Sequence, residues 1–129
     1  MRPFGPIDKV AAPEARGFIF GTPLALALGA GFVPIRKPGK LPHTTISEEY
    51  ALEYGTNELQ MHNDAIKPGE RVLLFDDLLA TGGTVNACQT LLEKCGATVV
   101  AIAFTIELLG LQGRDILGHP NVVSLIQYE

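Results

Sequence analysis

One stretch limits what this chain can fold into more than any other. Val72-Leu73-Leu74-Phe75 is an unbroken apolar run that ends on Asp76-Asp77 and continues as Leu78-Leu79-Ala80-Thr81-Gly82-Gly83-Thr84. Four successive apolar residues bury both faces of a strand, which is the mark of a parallel sheet covered on each side. A loop over 78–83 then leads into a helix predicted from about residue 84 to 94, closed by Gly96. The rest of the chain repeats the alternation. Strands are expected at 7–12, 32–36, 98–104 and 122–125, a helix runs to Leu28 and is stopped by Gly29, and 113–117 is a short helical turn. Thr22 with Pro23 offers a second helix start, Thr22 as cap and Pro23 at the first position. Gly17, Gly21 and Ala25 recur every fourth residue, which lets a neighbouring backbone come close to one helix face. The expected fold is α/β, a central and mostly parallel sheet flanked by helices.

Residues 37–63 differ in character. They are polar, carry Pro38, Gly39, Pro42 and Gly55, and alternate in two β-like pieces. A long hairpin-like excursion from a compact domain is expected to be mobile and functional. With 129 residues, 47% of them hydrophobic, the chain is expected to form one domain, 1–129, with a true core. A formal charge of -4 argues against broad nucleic-acid binding, so any anion site must be local. Residues 17–35 are uncharged, but glycines, Pro23 and Pro34 interrupt them, which argues against a membrane span. Asp8, Lys9, Glu14 and Arg16 precede that run, which argues against a secretory leader. Cys88 and Cys95 share the second helix, about 10 Å apart along its axis, too far for a disulfide. Free thiols fit a reducing cytoplasm.

Ligands of open α/β sheets sit beyond the carboxyl ends of the strands. Asp76 and Asp77 are expected at such an end. The helix that follows offers unpaired N–H groups and a partial positive charge, which favour phosphate. Gly82 and Gly83 let the backbone close around an anion, and Thr81 and Thr84 add hydroxyl donors. A phosphate a few residues from two carboxylates, which accept bonds from ribose hydroxyls, suits a ribose 5-phosphate. The plainer alternatives are a tight strand-to-helix connection and an acidic pair holding a metal. No Gly-Lys-Ser/Thr follows, so this is not a Walker loop. His43, His62 and His119 have no metal-ligand spacing.

The full stretch resembles the phosphoribosyl pyrophosphate (PRPP) motif of type I phosphoribosyltransferases, and the remainder is similar to the adenine phosphoribosyltransferases along essentially its whole length. Pro13-Glu14-Ala15-Arg16-Gly17-Phe18 resembles their pyrophosphate loop, in which the peptide before Ala15 is commonly cis. Residues 35–42 resemble the basic start of their mobile catalytic loop, and Tyr50-Ala51-Leu52-Glu53-Tyr54-Gly55 the part that carries the catalytic acid. Ser124 to Glu129 resembles the family's C-terminus.

The resemblance implies a purine-salvage transferase that makes AMP and pyrophosphate from adenine and PRPP, with Mg²⁺ held mainly through PRPP, in a cytoplasmic homodimer. Asp76 and Asp77 would contact the ribose hydroxyls, and Ala80, Thr81, Gly82, Gly83 and Thr84 the 5-phosphate. Ala15, Arg16, Arg36, Lys37 and Lys40 would face pyrophosphate, where a guanidinium can fork onto the anion. Alone, Arg16 would be read as a surface residue paired with Glu14. Glu53 would be the general acid or base near N7 of adenine, with Tyr54 and Leu108 close to the base; Ile106 and Leu108 otherwise read as core. Family members carry a further N-terminal segment that forms a hood over the purine, and this chain begins after it. Retained PRPP or AMP binding with weak adenine turnover is therefore the expectation. A phosphoribosyltransferase for another purine such as xanthine, and a non-catalytic PRPP or nucleotide sensor, are the alternatives.

Overall fold

The computed structural model describes residues 4–51 and 56–129. Strands β1 (Lys9–Pro13), β2 (Gly31–Ile35), β5 (Arg71–Leu79), β6 (Thr98–Leu108) and β7 (Val122–Tyr128) form one sheet in the order β2-β1-β5-β6-β7. Every neighbouring pair in it is parallel. Helices α1 (Arg16–Leu28), α2 (Gly83–Lys94) and α3 (Gly113–Leu117) connect the strands. The 37–63 excursion is the antiparallel hairpin β3 (Thr45–Ala51) and β4 (Thr56–His62), tied back to the sheet by backbone bonds between Arg36 and Gln60.

Strand alternation sorts the core into two layers. Val72 and Leu74 of β5 point to one side, where α2 lays Val85, Cys88, Leu91 and Leu92 and the hairpin adds Leu59 and Met61. Leu73 and Phe75 point to the other side, which α1 covers with Ala25 and Leu24. The fourfold spacing of small residues in α1 does what the sequence suggests. A Cβ on Gly21 would stand 3.2 Å from Ala12 Cβ, and one on Gly17 3.1 Å from Asp76 Oδ1, so α1 lies almost against β1 and β5. Gly29, at φ 67°, ends the helix.

One open alternative is decided and two expectations change. α1 starts at Arg16 rather than at Pro23, which lies inside it. Thr22 does not cap a helix there; its hydroxyl donates to Phe18 O at 2.9 Å, one turn back. Packing of the small-residue face sets this helix, and tertiary packing outweighs one proline. β5 does not stop at Asp76. Leu78 and Leu79 continue the ladder against Ile106 and Glu107, so both aspartates lie within the strand and the loop shrinks to residues 80–82. β6 and β7 likewise run beyond their buried cores, to Leu108 and Tyr128, leaving Ile106 and Leu108 half-buried rather than core. No helix among the described residues is long and apolar enough to cross a membrane.

Candidate functional site

The carboxyl end of β5 and the first turn of α2 form the floor of the site. Asp76 and Asp77 sit on the strand, and residues 80–82 cross to the helix. Gly82 is the N-cap, at φ 90° and ψ 0°, a conformation that favours glycine. Its carbonyl accepts from Asn86 N at 2.8 Å. No side chain caps α2, so the first-turn amides, which have no intrahelical acceptor, remain available to an anion. Space decides which glycine serves which purpose. A Cβ on Gly82 would fall 2.5 Å from Ile116 Cγ2 and 2.9 Å from Gly113 O, whereas a Cβ on Gly83 would meet nothing within 4 Å. Gly82 packs the loop against α3, and Gly83 leaves the cradle open.

A cavity of about 330 Å³ lies over this floor. Asp76, Asp77, Ala80, Thr81, Gly82, Gly83 and Thr84 line it from β5, the loop and α2, and Arg16 and Lys37 complete the wall. The structure thus brings nine of the sequence-predicted residues to one cavity. Arg16 does not pair with Glu14 as its sequence neighbourhood suggests. Its Nε lies 3.0 Å from Asp77 Oδ2. Arg36 and Lys40 are not in the cavity wall; they converge on Glu14, with Arg36 Nε 3.2 Å from Oε1 and Lys40 Nζ 2.8 Å from Oε2. The Arg36 guanidinium also lies over the Phe18 ring, 5.8 Å from its centroid. The Glu14–Ala15 peptide, between that carboxylate and Arg16, is cis. Ala15 and Leu108 do not line the cavity. Glu53 and Tyr54 lie outside the described residues.

Sequence reasoning missed three contributors. Glu14 lines the cavity and also accepts the Lys37 backbone N–H at 2.7 Å, so one carboxylate gathers the start of the basic loop. Burial raises the Glu14 pKa, but the bonds from Lys40 and the Lys37 amide, and the charge of Arg36, outweigh it and hold the carboxyl below its ordinary range. Tyr50 reaches the cradle from the hairpin, its hydroxyl accepting from Thr84 Oγ1 at 3.4 Å. Asn57 lines the same wall.

The carboxylate pair is electrostatically uneven. Burial pushes Asp76 up to about 7, and the neighbouring Asp77 carboxylate adds to this. The Asp77 backbone N–H, 2.8 Å from Asp76 Oδ1, and the Arg16 charge act in the other direction. Below it, Cys88 is fully buried, and burial with the Asp76 charge pushes its thiol up. Both cysteines are free. Among the described residues no group of three or more His, Cys, Asp or Glu is arranged to hold a metal ion.

Residues 4–116 match the family model of the phosphoribosyl transferase domain. The adenine phosphoribosyltransferase of a Clostridium botulinum strain is 62% identical over 123 residues, which are 95% of this chain and 72% of that protein. The Clostridium tetani enzyme of the same name is 59% identical over the same share. Among solved structures, the adenine phosphoribosyltransferase of Thermoanaerobacter pseudethanolicus superposes with a TM-score of 0.92 at 56% identity, covering 95% of this chain and 71% of that one. The Saccharomyces cerevisiae enzyme, complexed with an imino-altritol bisphosphate and adenine, superposes with a TM-score of 0.90 at 42% identity, covering 95% and 69%.

Proposed function

This chain belongs to the phosphoribosyltransferase family, among the adenine phosphoribosyltransferases, and we propose that residues 1–129 act as one catalytic core with its PRPP site in the cavity above β5 and α2. The reaction makes AMP and pyrophosphate from adenine and PRPP, a purine-salvage step. One observation carries the assignment of the site: the Asp76–Asp77 pair and the uncapped first turn of α2 share a cavity with Arg16 and Lys37.

In this reading the 5-phosphate rests on the amides and hydroxyls of residues 80–84, and the ribose hydroxyls donate to Asp76 and Asp77. The pyrophosphate meets Arg16 and Lys37, with Ala15 in the loop beneath it and Arg36 and Lys40 held nearby by Glu14. As the C1–O bond to pyrophosphate breaks, positive charge grows at C1 and negative charge on the leaving group, which these cations stabilise. N9 of adenine takes the vacated bond. Glu53 holds or gives the proton at N7, and closure of the 37–63 hairpin over the site keeps water from C1. Tyr54 and Leu108 flank the base.

The donor set suits Mg²⁺ in a limited way. Asp76 and Asp77 are hard oxygen donors, but Asp77 is already engaged by Arg16 and no third acidic ligand joins them among the described residues. Such a pair fits an ion that brings most of its oxygen ligands with PRPP. Beside Asp76 and Asp77, Mg²⁺ arriving with PRPP would supply charge neutralisation to the leaving group. The reading also carries a cytoplasmic location, which free thiols suit, and a homodimer, for which exposed Ile19 and Leu26 on α1 offer apolar surface.

The test is nucleotide formation from an equimolar mixture of adenine, hypoxanthine and xanthine with PRPP and Mg²⁺. AMP as the product, lost in Glu53→Gln, is the expected result. A xanthine or hypoxanthine nucleotide, or none, contradicts it.

A further inference from the structure

Glu107 is the one charged residue buried among those described, 2% exposed, and it does not line the cavity. It lies on β6, paired in register with Leu79 of β5 and Gln127 of β7. Its carboxylate receives a two-pronged contact from Arg114, Nε at 2.7 Å and Nη2 at 2.8 Å, and a further bond from Ser124 Oγ at 2.8 Å. Arg114 uses its remaining nitrogen on Val122 O, at 2.9 Å. Bonds from Arg114 foremost hold this carboxyl below its ordinary range despite its burial. A buried charge satisfied on every side is costly to assemble and fixes geometry rather than adding bulk stability.

What it fixes is α3. Five residues do not sustain a helix alone. No side chain caps this one, and it is bounded by Gln112 and Gly118, both with positive φ. Yet α3 lies directly against the phosphate loop. A Cβ on Gly113 would stand 2.5 Å from Ala80 O and 2.6 Å from Leu79 Cδ1, and Gly82 meets Gly113 O and Ile116 from the other side. Arg114 is the next residue after Gly113. The contact between α3 and the loop is therefore close at both glycines, with backbone carbonyls and the Leu79 and Ile116 side chains leaving no room for a Cβ, and the Glu107 fork sets where α3 stands.

We infer that Glu107 and Arg114 are positioning residues for the 5-phosphate cradle: the fork locks α3 as the outer wall that holds residues 80–82 in their anion-binding shape. This rests on the PRPP reading of the cavity and adds to it two residues that touch no substrate. It also separates two ligands. The fork supports the phosphate loop, whereas Arg16 and Lys37 reach the cavity from the start of α1 and from the segment after β2.

Calorimetric titration with ribose 5-phosphate, and separately with pyrophosphate, tests this in parent, Glu107→Gln and Arg114→Lys at a temperature where each is folded. A shift of the wall is expected to weaken ribose 5-phosphate by about tenfold or more, the order of loss that misplaced contacts produce, with pyrophosphate affinity unchanged. Arg114→Lys keeps the charge and loses the fork, so it serves if Glu107→Gln does not fold. Ribose 5-phosphate affinity equal to the parent's in a folded variant, or equal weakening of both ligands, overturns the inference. A parent that binds no ribose 5-phosphate overturns the PRPP reading itself, and that result is distinct from a variant that behaves like the parent.

Discussion

Arg16 Nε stands 3.0 Å from Asp77 Oδ2, so a cation assigned to pyrophosphate and a carboxylate assigned to ribose form an ion pair. Residues in direct contact are energetically coupled, and these two are expected to be so for PRPP. Arg16 is largely exposed, so the pair adds little to stability. Arg16→Gln is expected to weaken PRPP by about tenfold, a charge-assisted fork lost, while the melting temperature holds. Adding Asp77→Asn is expected to cost less than the sum of the two single changes. A double-mutant cycle on PRPP affinity reads this, and strict additivity would sink the coupling.

Two adjacent glycines should separate stability from binding. Gly82→Ala forces a Cβ into Ile116 and Gly113 O at a positive φ and is expected to cost about 1–3 kcal/mol of stability as well as PRPP affinity. Gly83→Ala meets only open space inside a helix, so stability is expected to rise by up to about 1 kcal/mol. Its new methyl still intrudes where the phosphate is placed, so PRPP affinity falls. Denaturant melts paired with PRPP titrations check both; a Gly83→Ala protein with parental affinity contradicts the placement.

Asp76 gives a pH signature. Its folded-state pKa is raised from 3.8 to about 7, so the folded state binds the proton more tightly than the unfolded chain. The cost of ionising it is absent below about pH 4, grows through the interval and is complete above pH 7. Asp76→Asn never ionises. Its stability relative to the parent is expected to be greatest at pH 8 and to vanish near pH 4, with PRPP affinity lost throughout. An equal offset at both pH values would count against the shift.

Glu14 has the opposite sign. Its folded-state pKa is lowered, so the stability it supplies is present above the ordinary carboxylate value and is lost as pH falls through the folded one. Glu14→Gln is expected to destabilise at pH 7 by about 1 kcal/mol, discounted because Arg36 and Lys40 are partly exposed. The gap should close in acid, and parallel denaturation curves at pH 7 and pH 3.5 show whether it does.

Much of this was legible in the sequence. The apolar run 72–75 announced a doubly buried strand, the spacing of Gly17, Gly21 and Ala25 a close helix contact, and Gly82-Gly83 the turn into the second helix. What was not legible was set by tertiary pairing. Asp76 and Asp77 look like a strand end because they are charged, but β6 extends the ladder past them. Arg16 looks like the partner of Glu14 because they are close in sequence, but strand ends bring it to Asp77 and leave Glu14 to Arg36 and Lys40, more than twenty residues away. The Glu107–Arg114 fork depends on β7 closing over β6, which no local pattern encodes.

The most direct test of the site assignment is calorimetric titration of PRPP with Mg²⁺ into the parent and into Asp76→Asn/Asp77→Asn. Mg²⁺-dependent binding heat in the parent, lost in a variant that remains folded, is the predicted result. Absence of heat in the parent, or undiminished heat in the variant, would place PRPP elsewhere or nowhere on this chain.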